Sequence, residues 1–374
     1  MFIANVMSYA MVLILGRHLG PADFGGYSAL TAYGLVLAVP AGALQVITAR
    51  HVVATGSDPT RMGLIAGTSL MVLTLIISPV LSHQLTLPTE AVLWLALSVL
   101  TITTTGVGQG ILLGRSRLQS LSLLYFVTAV SRLGAVLLGW WVGASLTDIF
   151  ALLALASVFT WGVSHLLSRA DRLELTPGPE GLARELFWST LSLGAFVAMT
   201  NVDVLLARSV LTAHESGGYA LASTFGRAVC WSTQFIAILL VPRAQASDSR
   251  RVIVRGQLII LAIGAMALAT IAVSPRFWIT LAGGADYQEF SHLALACTGL
   301  GVVWALLQVS IFSDIGRGWT ALGIATWVAV LLQILLVRSI SEPNAWHIVA
   351  ASASTSTLIV VAAYWRRAPV PSVT

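Results

Sequence analysis

Arg132 and Arg227 are the residues from which chemistry is first expected, because each stands alone inside a long apolar stretch, VSRLG and FGRAV respectively. An ionisable group near the centre of a bilayer costs at least about 2.5–3.5 kcal/mol, so it faces a cavity or a partner. Guanidinium groups bind compact polyanions through paired, charge-assisted hydrogen bonds. The same two residues could instead serve an interhelical ion pair or bind a backbone carbonyl. Asp203, in TNVDVLL, is the clear carboxylate of this kind. It is either a protonatable or cation-binding group for ion coupling, or the neutralising partner of an arginine. Arg17 and Arg208 fall at helix ends, where they line an exit or snorkel to headgroups. Arg50 stands at another helix end, as an anion-attracting entrance residue or simply a topology signal. Asn5, Gln45, Asn201, Gln234 and Gln308 are weaker polar positions that bond either a hydrated ligand or a neighbouring helix.

The elements that must hold these residues are membrane helices. Of the 374 residues 57% are hydrophobic and only 9% charged, with a mean hydropathy of +0.88, too little charge to cover a soluble domain. Apolar runs of spanning length recur at 1–16, 27–49, 62–82, 91–114, 119–143 and 147–167. They continue at 186–207, 217–241, 254–274, 290–312, 318–338 and 345–365. Arg132 then lies about thirteen residues into the fifth run and Arg227 about ten into the eighth, near mid-depth at ~1.5 Å per residue. Asp203 lies about a turn from one end of the seventh. The first run has no basic segment before it, so it reads as a retained helix rather than a cleaved signal. Its N-terminal end is short, as if the start had lost a few residues.

The longest polar stretch, SRADRLELTPGPEGLARE at 168–185, carries Pro177-Gly178-Pro179 and divides the runs six and six. The expected organisation is a six-helix lobe at 1–168, a cytoplasmic linker at 169–185 and a second lobe at 186–374. Every basic residue is arginine. Fourteen fall on the side of the N-terminus, namely Arg50, Arg61, Arg115, Arg117, Arg169, Arg172, Arg184, Arg243, Arg250, Arg251, Arg255, Arg317, Arg366 and Arg367. Four, Arg17, Arg208, Arg276 and Arg338, fall on the other. That asymmetry places both termini in the cytoplasm.

The halves repeat. LGRHLGPADFGGYSALTAYG at 15–34 matches LARSVLTAHESGGYALASTFG at 206–226, aligning Arg17 with Arg208, Gly25-Gly26-Tyr27 with Gly217-Gly218-Tyr219, and Gly34 with Gly226. Both copies join the first and second runs of their half on the same side, so the repeat is parallel. Such repeats occur in transporters that rock one bundle against another. Leu35 takes the place of Arg227, which makes the charge asymmetric. Gly106, Gly110 and Gly114 form a close-packing face after Thr101, Thr103, Thr104 and Thr105, and Pro40 predicts a bend.

At these residues the chain resembles the Wzx-type oligosaccharide and polysaccharide flippases of the multidrug/oligosaccharidyl-lipid/polysaccharide (MOP) exporter superfamily. The resemblance rests on 15–30, on 201–229 and on LLVPRAQAS at 239–247. It implies an alternating-access flippase that moves a polyprenyl-pyrophosphate-linked oligosaccharide from the inner to the outer leaflet for surface polysaccharide assembly. Its fold would be all-α: twelve transmembrane helices in two six-helix bundles, in the bacterial cytoplasmic membrane. Arg227 and Arg132 would then bind the pyrophosphate, with Arg50, Arg17 and Arg208 at entrance and exit. Expected partners are the lipid-linked glycan, the bilayer and the glycan assembly machinery, with a monomer as the working unit. No nucleic-acid partner, cofactor or metal is expected.

No hydrolase, zinc, Walker or dinucleotide motif occurs, and the histidines are scattered without ligand spacing. A membrane polymerase or ligase would need a large external catalytic loop. The longest external loop, about 274–290, holds only Arg276, Asp286 and Glu289 as charged residues. A drug/cation antiporter of the same superfamily is the alternative, but it would need several membrane carboxylates. The expectation is a transporter, not an enzyme.

Overall fold

Glycine, proline and short polar clusters set where this chain can leave a helix, and the helices follow those marks. The computed structural model describes residues 2–173, 176–177, 182–234, 236, 249–316 and 321–365. The stretch 239–247, Arg243, Arg317, Arg366, Arg367 and the side chains of Asn5, Arg250 and Arg251 lie outside the described residues. The chain divides into two compact units, Met1–Thr190 and Leu191–Thr374.

The first unit holds α1 (Phe2–Leu37), α2 (Val39–Thr55), α3 (Thr60–Leu85), α4 (Thr89–Gly114), α5 (Leu118–Val142), α6 (Leu146–Leu173) and the start of α7 (Leu182–Met199). α1 is not continuous. Gly20 has φ 66° and ψ 175°, a conformation open to glycine, and Pro21 opens the helical stretch that follows. A second interruption, at Ala38, precedes Pro40 in the first turn of α2, where the sequence predicts a bend.

α4 is the hub of this unit, packed on α2, α3 and α6. Its glycines let backbones close in. A Cβ on Gly106 would collide with the Ala41 carbonyl, and one on Gly114 would stand 2.8 Å from the Ala49 carbonyl. The hydroxyls of Thr101, Thr103, Thr104 and Thr105 donate to carbonyls one turn back on their own helix, which satisfies them inside the membrane.

The second unit continues with α8 (Val202–Val210), α9 (Ala213–Ser232), α10 (Ser249–Val273), α11 (Pro275–Gly283), a 3-10 turn (Ala285–Phe290), α12 (Ser291–Gly316), α13 (Ala321–Arg338) and α14 (Ala345–Trp365). α12 is its hub, packed on α9, α10 and α14. Gly34 lies against Leu95 of α4, and Gly226 against the Cys297 carbonyl of α12, so the aligned glycines each face the hub of their own unit. Cys230 and Cys297 are free and buried, 1% exposed each. Large apolar side chains such as Ile76, Trp141, Leu166, Val273 and Leu335 point outward, as a lipid-facing surface requires.

Among the described residues nine helical segments are long and apolar enough to cross a membrane, or ten if the bent pair 184–199 and 202–210 counts as one. The expected twelve exceed these by two. One difference is the stretch Tyr9–Thr55, 47 residues taken as one segment. At 1.5 Å per residue it is about 70 Å long, more than twice a hydrocarbon core. The other is the run 217–241: 235 and 237–241 lie outside the described residues, and the described α9, with its Ser, Gly, His, Glu and Arg content, falls below the hydropathy of a lipid-facing helix.

The first unit has two distinct ends. At one, Arg172 donates to Thr60 Oγ1 (2.9 Å) and Arg117 pairs with Asp171 (2.8 Å). Nearby, β1 (Ser57–Asp58) pairs in parallel with β2 (Thr176–Pro177). Of the expected linker, among the described residues, 169–173 complete α6, 176–177 pair with the α2–α3 turn, and 182–185 begin α7. At the other end His18 Nε2 lies 3.2 Å from the Ala144 carbonyl. In the second unit a capping box at Thr212 and Glu215 starts α9, and His214 meets Glu289 at 2.6 Å.

Candidate functional site

The seventh predicted run is broken. α7 stops at Met199, Thr200 and Asn201 leave helical geometry, and α8 departs at 46°. A break inside a membrane exposes carbonyls that need donors. Arg227 supplies one: its Nε donates to the Thr200 carbonyl at 3.1 Å. The same guanidinium donates through Nη1 to Ser223 Oγ (3.1 Å) and through Nη2 to Asp203 Oδ1 (3.0 Å). Asp203 is fully buried in the first turn of α8, where the helix dipole also favours a negative charge. Its other oxygen accepts from the Tyr219 hydroxyl at 3.0 Å. The Arg227 guanidinium also lies 6.0 Å from the ring centroid of buried Trp304.

These contacts make a closed network of one cation and one anion in the second unit. Tyr219, Ser223 and Arg227 repeat every four residues along one face of α9, a signal the sequence carried and that was missed. By the repeat alignment Val12 and Leu35 occupy the places of Asp203 and Arg227, so the first unit has no counterpart pair.

What the first unit has instead is a cavity of about 220 Å³ walled by α1, α2, α4, α5 and α6. Leu35, Leu95, Ile102, Phe150 and Leu153 are among its apolar lining. Its polar wall comes from hydroxyls, from Gln109 and from Arg132. Arg132 is exposed, and among the described residues no carboxylate pairs with it. The two membrane arginines thus differ: Arg227 is engaged on three donors, and Arg132 keeps its guanidinium available.

The other expected residues are also placed. Arg208 is buried, 9% exposed, and donates to Ser216 Oγ at 3.2 Å, which is packing against α9 rather than snorkelling. Its repeat partner Arg17 is exposed near the break at Gly20. Arg50 pairs with Glu185, which also lies 3.1 Å from His51 Nε2, at the end of the unit that holds the β1–β2 staple. Gln45 donates to the Tyr125 hydroxyl on α5 at 2.7 Å, a bond to a neighbouring helix, whereas Asn201 donates to the Val197 carbonyl one turn back at 2.7 Å. Among the described residues neither amide atom of buried Gln308 has a partner. Among the described residues no group of three or more His, Cys, Asp or Glu could hold a metal.

No family model matches the chain, and no curated protein matches it. Solved structures do. A multidrug-resistance MATE family transporter of the MOP superfamily, solved in an inward-facing conformation, superposes with TM-score 0.77 at 12% identity, over 97% of this chain and 94% of that one. The lipid II flippase MurJ, in an inward closed conformation, gives 0.77 at 11% identity over 98% and 86%. A MOP superfamily transporter from Pyrococcus furiosus, described as having a binding pocket of reversed polarity, gives 0.54 at 15% over 98% and 91%. At these identities the likeness is one of fold, and it extends over nearly the whole chain. The chain is a multi-pass helical membrane protein with the fold of the MOP-superfamily transporters.

Proposed function

We propose that the protein is an alternating-access flippase that carries a polyprenyl-pyrophosphate-linked oligosaccharide to the outer leaflet for surface glycan assembly. The observation that carries this reading is Arg132: a guanidinium without a paired carboxylate among the described residues, on the wall of a carboxylate-free cavity. A compact polyanion is the ligand such a group favours, and a lipid flippase is among the structures that share the fold. Arg227, within the second unit, is proposed separately as a pyrophosphate-binding residue, through the N–H groups its network leaves over. Asp203 acts as its charge partner rather than as a coupling group. Arg50 and Arg17 serve entrance and exit, and the bacterial cytoplasmic membrane is the proposed location.

The test is the leaflet distribution of the lipid-linked glycan in deletion cells carrying wild-type protein, Arg132→Gln or no protein. The glycan is expected to accumulate on the inner leaflet without the protein. Loss of a charge-assisted contact, about 1.5–3 kcal/mol, predicts that Arg132→Gln slows clearance roughly tenfold or more. Unchanged sidedness on deletion removes the flippase reading. A second reading, export of drugs against a cation gradient, draws on the MATE structures that share the fold. Asp203, its natural coupling carboxylate, is already bonded to Arg227 and Tyr219. Faster accumulation of a cationic dye in the deletion strain, with glycan sidedness unchanged, is the result that reading requires.

A further inference from the structure

Most of the hydroxyls around the cavity of the first unit are one-sided. Ser98 donates to the Trp94 carbonyl (3.1 Å), Thr105 to Thr101 (2.7 Å), Thr128 to Leu124 (2.7 Å) and Thr160 to Ala156 (2.9 Å). Each hydroxyl has one proton, and here it is spent on the helix, so what remains for an occupant is lone pairs. Four acceptors on α4, α5 and α6 therefore line a cavity to which Arg132 and Gln109 bring a guanidinium and an amide as donors. Ser98, Thr105 and Thr160 are each at most 6% exposed, so bulk water does not compete freely for them. Thr128 and Arg132 lie one turn apart on α5, so the cationic donor and the acceptors are contiguous.

A bare anion would use Arg132 and leave the acceptors facing its own lone pairs. A purely apolar ligand would strand both. The complement is a molecule with one anionic oxygen cluster joined to several O–H or N–H donors. A second carboxylate would set negative charge against an acceptor wall, which is costly in a low-dielectric site. We infer that this cavity binds the phosphate-proximal sugar of the substrate and selects one that is uncharged, with Arg132 on the phosphate and the hydroxyl row on the sugar's O–H groups.

The inference rests on the flippase reading for its biological meaning, but its test does not. Purified full-length protein is titrated calorimetrically with glucose 1-phosphate, glucuronic acid 1-phosphate and inorganic phosphate. Glucose 1-phosphate is expected to bind at least tenfold more tightly than either of the others. Arg132→Gln should weaken all three. Thr105→Val with Thr160→Val should remove the sugar's advantage and leave inorganic phosphate unchanged, and the matching Thr→Ser pair should restore it. Equal affinity for the three probes, a preference for the uronic acid, or no heat with any probe up to about 10 mM overturns the proposal. Equal weakening of phosphate and sugar phosphate by the valine pair also overturns it. Glycan sidedness unaffected by deletion, together with this binding pattern, would retire the flippase and keep the site. Normal flipping with no sugar preference would do the reverse.

Discussion

Asp203→Ala is expected to destabilise the second unit by about 3 kcal/mol, because it leaves the guanidinium of Arg227 desolvated and unneutralised. The side chain of Arg227 is 16% exposed and that of Asp203 is fully buried, so solvent screens little of the interaction. The loss is not the worth of the ion pair itself. It is the penalty of stranding one member, so Asp203→Leu combined with Arg227→Met should recover most of it. Tyr219→Phe removes one hydrogen bond to a charged group and should cost about 1.5 kcal/mol. Thermal unfolding in detergent, read as Tm against wild type, separates these cases. A double variant no more stable than Asp203→Ala would show that the network holds the α7–α8 break by more than charge balance.

The second large effect is steric. Gly226→Ala places a Cβ against the Cys297 carbonyl and the backbone nitrogen of Gly301, neither of which can turn aside as a side chain would. α9 must then move off α12, the hub of its unit. Overpacking of this kind costs about 3 kcal/mol or more where backbone blocks relaxation. The expected readout is low recovery of monodisperse protein. Gly42→Ala serves as the comparison, since among the described residues nothing lies within 4 Å of a Cβ there. If the two variants were recovered equally, the α9–α12 approach would be looser than described.

The membrane arginines and Asp203 were legible in the sequence because ionisable groups in apolar runs are conspicuous. So was the Gly106–Gly110–Gly114 face, whose spacing matches a helix repeat. Pairing of Asp203 with an arginine was one of two readings of the sequence, but its bond to Tyr219 and the broken helix that positions it were not legible. The break at Thr200–Asn201 carries neither Gly nor Pro, and without it Asp203 reads as a residue in the last turn of a continuous helix rather than the first turn of a new one. The cavity hydroxyls were hidden for a different reason. Thr105 and Thr128 sit where membrane helices commonly use threonine against their own carbonyls, and they do so here. Only the packing of α4, α5 and α6 around one space reveals that their free lone pairs converge. The repeat was read from Gly and Tyr positions, whereas the difference between the units lies in what stands opposite those tyrosines.

The burial of Cys230 and Cys297 has a practical consequence. Thiol reagents act on accessible thiolates, and both native sulfurs are sealed inside the second unit. The wild-type chain is therefore a silent background for site-directed labelling, with no native cysteine to be engineered away. A single cysteine in place of Leu35, at the cavity wall, would carry a spin label or fluorophore alone. Its signal would report from one known position, in a protein whose own packing has been left as it was.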